Sequence, residues 1–139
     1  MKTILVTGGT GYIGSHTVVA LLENQYKVII LDNLCNSKIG ALESIAQITS
    51  QKPEFYRGDI RDVPLVESIF NNHEISGVIH FAGLKAVGES QREPLKYYEN
   101  NVTGSITILN AMRKAKVETF VFSSSATVYG EPGYTQYEE

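Results

Sequence analysis

Three spaced glycines at a strand-to-helix junction constrain this chain more than any other feature. Ile4-Leu5-Val6 is a short apolar run, Ile13 to Asn24 carries a helical pattern, and Thr7-Gly8-Gly9-Thr10-Gly11-Tyr12-Ile13-Gly14 joins the two. At such a junction Gly8 permits a sharp turn out of the strand, and Gly11 lets backbone approach a ligand phosphate with no Cβ in the way. Gly14 lets the helix pack closely on the strand. The helix start adds unpaired N–H groups and the positive end of a dipole, which together cradle pyrophosphate. Glycine patterns arise by chance in flexible loops, so the strand before and the helix after are what give this one meaning.

An acidic residue completes the pattern. Val28-Ile29-Ile30-Leu31 reads as a second buried strand, and Asp32 stands at its end, near the position about 20 residues past the loop where a ribose-binding acid is expected. A carboxylate there can accept both ribose hydroxyls and would repel a 2′-phosphate, so the expected cofactor is NAD rather than NADP. Asp32-Asn33 also suits the start of a turn, a bland role compatible with the binding role.

The chain has 139 residues, 42% hydrophobic and 19% charged, enough for one soluble domain with a real core. A formal charge of −3 leaves no basic patch, which argues against nucleic acid or an anionic membrane as the main partner. The apolar stretches are strand-sized and the N-terminus already reads as a strand, without the features of a signal peptide, so a cytoplasmic location is expected. The single cysteine, Cys35, permits no internal disulfide and reads as a packing residue rather than a nucleophile.

Strands are expected near Thr3–Thr7, Lys27–Leu31, Glu54–Arg57, Gly77–Phe81 and Glu118–Ser123, with four helical stretches between them. The third helix is predicted to start at Asp62 as N-cap with Pro64 in its first turn and Leu65, Val66, Ile69 and Phe70 on one face. The fourth runs from about Pro94 to Lys116 with Tyr98, Val102, Ile106, Leu109 and Met112 at helical spacing. Gly104 inside it suggests close approach of a neighbouring backbone. Alternating strands and helices with right-handed crossovers imply a parallel sheet covered on both faces, here in the order 3-2-1-4-5.

In such a sheet ligands lie beyond the carboxyl ends of the strands. After the third strand stands Asp59, whose carboxylate could take an adenine amino group, with Ile60 to pack on the ring. Asp59 reads equally as a loop acid. After the fourth strand, Phe81-Ala82-Gly83-Leu84-Lys85 combines small residues with one cation. The fifth strand ends in Ser123-Ser124-Ser125, three hydroxyls whose type is also common in loops. His80 sits within a buried strand pattern and reads as a satisfied core histidine rather than a base. His16 and His73 lack partners at metal-ligand spacing, so no metal is expected.

Taken together, the chain resembles the extended short-chain dehydrogenase/reductase family, and within it the sugar-nucleotide epimerases, over essentially its whole length. The segments that carry the resemblance are Thr7 to His16, Leu31 to Ser37, Ile79 to Ser90 and Phe122 to Gly130. The resemblance implies a Rossmann-like, doubly wound α/β sheet spanning residues 1–139 as one NAD-binding domain, truncated before the rest of the domain and without a substrate domain. It implies NAD contacts from Tyr12, Ile13, Asp32, Asn33, Leu34, Cys35, Asn36, Ser37, Asp59, Ile60, Phe81, Ala82, Gly83, Leu84, Lys85 and Asn100. Ser125 is implied to bind both the cofactor side and the sugar hydroxyl that is oxidised. The implied reaction interconverts UDP-glucose and UDP-galactose at C4 of the hexose with NAD regenerated, in a protein that forms a homodimer.

The sequence departs from that pattern in one respect. The family's proton acceptor is the tyrosine of a Tyr-x-x-x-Lys motif, whose lysine favours the phenolate. Here Tyr129 is followed at that spacing by Gly133 and Tyr134 by Glu138, and the last lysine is Lys116. The expectation is an N-terminal part of a longer protein, ending at Tyr137-Glu138-Glu139 and inactive by itself. Two other readings stay open: a non-catalytic NAD-binding module, and a sugar-nucleotide dehydratase of the same family. Against the dehydratase, Ala126-Thr127 stands where those enzymes carry an Asp-Glu pair.

Overall fold

Five apolar runs become the five strands of one parallel sheet in the computed structural model: β1 Thr3–Thr7, β2 Lys27–Asp32, β3 Glu54–Arg57, β4 Ile75–His80 and β5 Thr119–Phe122. Their order is β3-β2-β1-β4-β5 and every pairing is parallel, as expected. The structure describes residues 1–130. Gly133, Tyr134 and Tyr137-Glu138-Glu139 lie outside the described residues.

The near-continuous apolar character of β1 and β2 follows from a sheet buried on both faces. Alternate side chains enter two separate cores. Leu5, Ile29 and Leu31 join Val66, Ile69, Phe70, Ile108 and Met112 on one side. Ile4, Val6, Val28 and Ile30 join Val18, Leu22 and Ile45 on the other. Leu5, Val6, Ile29, Ile30 and Leu31 retain no solvent exposure, and each such side chain contributes about 1.5–3 kcal/mol by leaving water.

The first core is capped by α3 (Val63–Asn72) and α6 (Gly104–Ala115), the second by α1 (Tyr12–Glu23) and α2 (Gly40–Thr49). α3 begins as its sequence predicts. Asp62 is the N-cap and accepts from the Leu65 amide at 3.1 Å, with Pro64 in the first turn. Val66, Ile69 and Phe70 are buried along this helix, with Leu65 partly so.

The long helix expected over Pro94–Lys116 is interrupted. It consists of α5 (Pro94–Tyr98), a π-turn (Glu99–Thr103) and α6, and a separate short helix, α4 (Val87–Arg92), precedes it where no helix is expected. Of the expected stripe, Met112 is buried while Tyr98, Val102, Ile106 and Leu109 are exposed, and Gly104, Thr107, Ile108 and Ala111 join Met112 on the buried face. Gly104 makes room for a side chain rather than a backbone: a Cβ there would lie 2.4 Å from Ile60 Cδ1.

Candidate functional site

β1, β3 and β4 each continue by one residue beyond their ladders toward a common rim. The Gly8 amide bonds Leu31 O at 2.9 Å, Phe81 N bonds Thr7 O at 3.0 Å, and Gly58 N bonds Asp32 O at 3.1 Å. At this rim the chain leaves β1 for one face of the sheet and β4 for the other. That point of divergence opens a crevice, here a cleft of about 450 Å³, within the range of about 300–1,000 Å³ usual for small-molecule sites.

The glycine turn forms its floor. Gly8 has φ +70°, and a Cβ on it would meet Ala82 N at 2.8 Å and the Phe81 carbonyl carbon at 2.9 Å, so the turn presses directly on the end of β4. A Cβ on Gly14 would lie 2.2 Å from Gly8 O. The helix start therefore packs on the glycine turn itself rather than on the strand. A Cβ on Gly11 would touch only Gly8 O, at 3.3 Å. Gly11 is the N-cap of α1 and supplies no capping side chain, and the first turn holds no acid. The amides of this turn are thus left for an anion from outside. Gly8, Gly11, Tyr12, Ile13 and Gly14 all line the cleft.

Asp32 lines the cleft at the end of β2, where the sequence places it. Its Oδ2 accepts from the Thr10 amide at 3.1 Å, and its Oδ1 accepts from the Leu34 amide at 2.9 Å and the Ser37 hydroxyl at 3.2 Å. The turn reading holds, since the bond to Leu34 makes an Asx-turn, and the carboxylate also faces the cleft. The protein's own donors fill three of about four acceptor sites on the carboxylate, leaving about one for a ligand hydroxyl rather than two. Asn33, Cys35, Asn36 and Ser37 line the cleft beside it. Leu34, at φ +60°, contributes its amide to Asp32 and is not among the lining residues.

Ile60 lines the cleft and Asp59 does not. Arg61 grips the Asp59 carboxylate with Nε at 2.9 Å and Nη2 at 2.8 Å, and the Arg61 amide adds a bond at 2.9 Å. These bonds hold the Asp59 carboxyl below its ordinary pKa against the opposing effect of burial. Arg61 thus fills three of about four acceptor sites on the carboxylate expected to meet an adenine amino group.

On the opposite wall are Phe81, Ala82, Gly83, Leu84 and Lys85, with Asn100 behind them. His80 lies just below and is a satisfied core histidine, as its pattern predicts. The Ser105 hydroxyl donates to Asn101 O at 2.6 Å, so its oxygen accepts from His80 Nε2 at 3.0 Å. His80 Nδ1 then accepts from the Thr7 hydroxyl at 2.6 Å, and Thr7 Oγ1 accepts from the Ala82 amide at 3.3 Å. Burial lowers the His80 pKa to about 4, so the ring stays neutral at physiological pH. Ser125 follows β5 at the start of the 3-10 turn Ala126–Tyr129 and is not among the cleft-lining residues.

Two participants were missed from the sequence. Thr10 occupies an unspecified position of the glycine pattern, yet its amide holds Asp32 and its hydroxyl meets Ser37 at 2.7 Å. Asn101 bonds the Leu84 backbone twice. Only an Asn-Asn pair at mid-helix, poor in helix propensity, marks that place in the sequence.

The family model described as GDP-mannose 4,6 dehydratase matches residues 5–139. Over all 139 residues the chain is 60% identical to a UDP-glucose 4-epimerase of Neisseria meningitidis serogroup A, covering 41% of that protein. A UDP-glucose 4-epimerase of Schizosaccharomyces pombe is 57% identical over 94% of this chain and 37% of its own length. Among solved structures, the Stenotrophomonas maltophila UDP-glucose 4-epimerase with bound NAD and formylated UDP-arabinopyranose superposes with TM-score 0.92. It is 49% identical, over 96% of this chain and 40% of that one. The Bifidobacterium longum enzyme, in complex with NAD+ and UDP, gives 0.91 at 50% identity, over 93% and 38%. The chain thus spans about two fifths of the length of the relatives it matches. With the family model matched over nearly its whole length and the same five-stranded sheet at the rim of the cleft, the chain belongs to the GDP-mannose 4,6-dehydratase family of extended short-chain dehydrogenases/reductases.

Proposed function

We propose that this chain is the N-terminal, NAD-binding part of a UDP-glucose 4-epimerase, which interconverts UDP-glucose and UDP-galactose in cytoplasmic galactose metabolism. One observation carries the reading. A cleft with an uncapped helix start at its floor and Asp32 at its side occurs in a chain 60% identical throughout to UDP-glucose 4-epimerases.

The residues present fit the cofactor. The amides at the start of α1 would hold its pyrophosphate, the Asp32 carboxylate would take a ribose hydroxyl and exclude a 2′-phosphate, and Ile60 would pack on the adenine. Residues 81–85 and Asn100 would enclose the other half. Bound NAD would supply reversible hydride transfer with C4 of the hexose, so that the net change is isomerisation. Ser125 contributes a hydroxyl that orients the sugar, while the proton acceptor is a tyrosine outside these 139 residues, so the chain alone turns over no substrate.

The family model is described for a dehydratase, but elimination of water requires an acid and a base beside the serines. Ala126-Thr127 supplies neither, which favours the epimerase. The exposed apolar side chains Leu95, Tyr98, Val102, Ile106 and Leu109 support a homodimer formed through this helical face.

Calorimetric titration tests the cofactor assignment. NAD binds the chain and NADP binds more weakly, and Asp32→Ala weakens NAD at least about tenfold, the scale of one lost hydrogen bond to a charged acceptor, while narrowing the preference over NADP. No binding of NAD would refute the assignment. For the protein extended to the length of its relatives, conversion of UDP-glucose to UDP-galactose is expected. NAD binding without conversion would leave a non-catalytic module.

A further inference from the structure

The segment that walls the cleft opposite Asp32, residues 82–86, is neither strand nor helix, yet four of its backbone groups, Ala82 N, Leu84 N and O, and Ala86 N, are tied to side chains at least 11 residues away in sequence. The Ala82 amide is held by Thr7, as described. Leu84 is held on both sides by one side chain: its amide donates to Asn101 Oδ1 at 2.8 Å and its carbonyl accepts from Asn101 Nδ2 at 2.9 Å. Asn101 thereby imitates a neighbouring strand, and the two backbone partners leave no ambiguity about which end of its amide is oxygen. The Ala86 amide donates to the Tyr97 hydroxyl at 3.1 Å, and that hydroxyl donates to Glu89 Oε2 at 2.9 Å.

The residue that makes the double bond lies inside the π-turn. The Gly104 amide reaches back five residues to Glu99 O, so the helix there carries one residue more than an α-helical turn. Each added residue rotates the following helix by about 100° relative to the preceding one. This offset lets two consecutive asparagines serve the cleft while Gly104 and Ile108, further along, still face the core. Asn100 is buried and lines the cleft, and its Nδ2 donates to Asn101 Oδ1 at 2.9 Å. The Asn101 carbonyl accepts from Ser105, which closes the chain of bonds through His80 and Thr7 back to Ala82. A π-turn is a rare departure from the α-helix and recurs at functional sites.

We propose that the π-turn Glu99–Thr103 is a positioning element of the cleft, with Asn101 the positioning residue that holds the Leu84 backbone as its outer wall. This rests on the reading of the cleft as an NAD site. Asn101 touches the wall and acts on the cofactor through it.

The test uses this chain and two variants. Asn101→Leu keeps the volume and removes all three side-chain bonds. It should speed hydrogen exchange of the Leu84 amide at least tenfold in the unliganded chain, leave the Leu5 amide unchanged, and weaken NAD about tenfold, as expected for losing two to three neutral hydrogen bonds. Asn101→Asp keeps the acceptor and sets a carboxylate against Leu84 O near neutral pH. Protonation, about half complete at pH 4 for an ordinary aspartate, restores the donor, so its deficit in Leu84 protection and NAD affinity relative to the parent should shrink at least threefold from pH 7.5 to pH 4. Unchanged Leu84 exchange in Asn101→Leu, or a deficit in Asn101→Asp that does not vary with pH, would overturn the proposal. If Asn101→Leu does not fold, the Asn101→Asp series decides alone. If the parent chain binds no NAD, the cofactor reading fails, and exchange at Leu84 still decides whether Asn101 holds the wall.

Discussion

The two walls of the cleft are built by opposite means. On the Asp32 side, backbone geometry within a few residues does the positioning: a left-handed Gly8, a helix start seated on its carbonyl through Gly14, and an Asx-turn at Asp32. On the Leu84 side, an irregular segment is held by side chains from β1, β4, α5, the π-turn and α6, through bonds that span up to 75 residues. The first wall fails when one atom is added to its backbone. The second fails when a side-chain amide or hydroxyl loses its partner.

The largest expected effect is at Gly14. Gly14→Ala forces a methyl group to within 2.2 Å of Gly8 O, a clash with backbone that cannot rotate away. A loss of about 3 kcal/mol is expected, with loss of NAD binding. Urea denaturation and NAD titration would check both, and a variant as stable as the parent would break the contrast between the walls.

Next comes the pH response of the wall held by side chains. His80 has its pKa lowered to about 4 from an ordinary 6.5 by burial, so the unfolded chain binds more protons between those values. The folded state keeps its full advantage above about pH 6.5 and loses it as pH falls toward 4. The total is about 3 kcal/mol, at 1.36 kcal/mol per pH unit. Denaturation midpoints measured from pH 7 to pH 4 should fall accordingly, and His80→Gln should flatten that part of the profile. A wild-type profile that is flat there would show that His80 is not held neutral.

The smallest effect sharpens the comparison with the same chemical change. Gly104→Ala also sets a Cβ too close to a neighbour, but the neighbour is the end of the Ile60 side chain, which can adopt another rotamer. Gain in helix propensity of about 1 kcal/mol offsets that adjustment. A net change within about 1 kcal/mol is expected in the same denaturation assay, and a loss matching that of Gly14→Ala would erase the distinction.

The legibility of the chain followed the same division. The strand order, the helix start at Asp62 and the turn at Asp32 were all readable, because each depends on residues close in sequence or on the two-residue period of a buried strand. The apolar stripe Tyr98, Val102, Ile106 and Leu109 misled, because helical spacing reports that a face is apolar and not what covers it. The inserted residue of the π-turn further separates that stripe from the core face. The Arg61 clamp on Asp59 was illegible for another reason: it depends on the loop conformation around it, and a carboxylate two residues from an arginine carries no sign of which partner it will take.

What the sequence by itself determined is the sheet and the floor of the cleft. Apolar runs, glycines and Asp32 act through local sterics and through burial on both faces, and such constraints are written residue by residue. What only the tertiary structure decided is the opposite wall. The partners of Leu84, Ala86 and His80 come from segments whose spacing along the chain carries no periodic signal, so their hydrogen bonds exist only once the sheet and helices have brought them together.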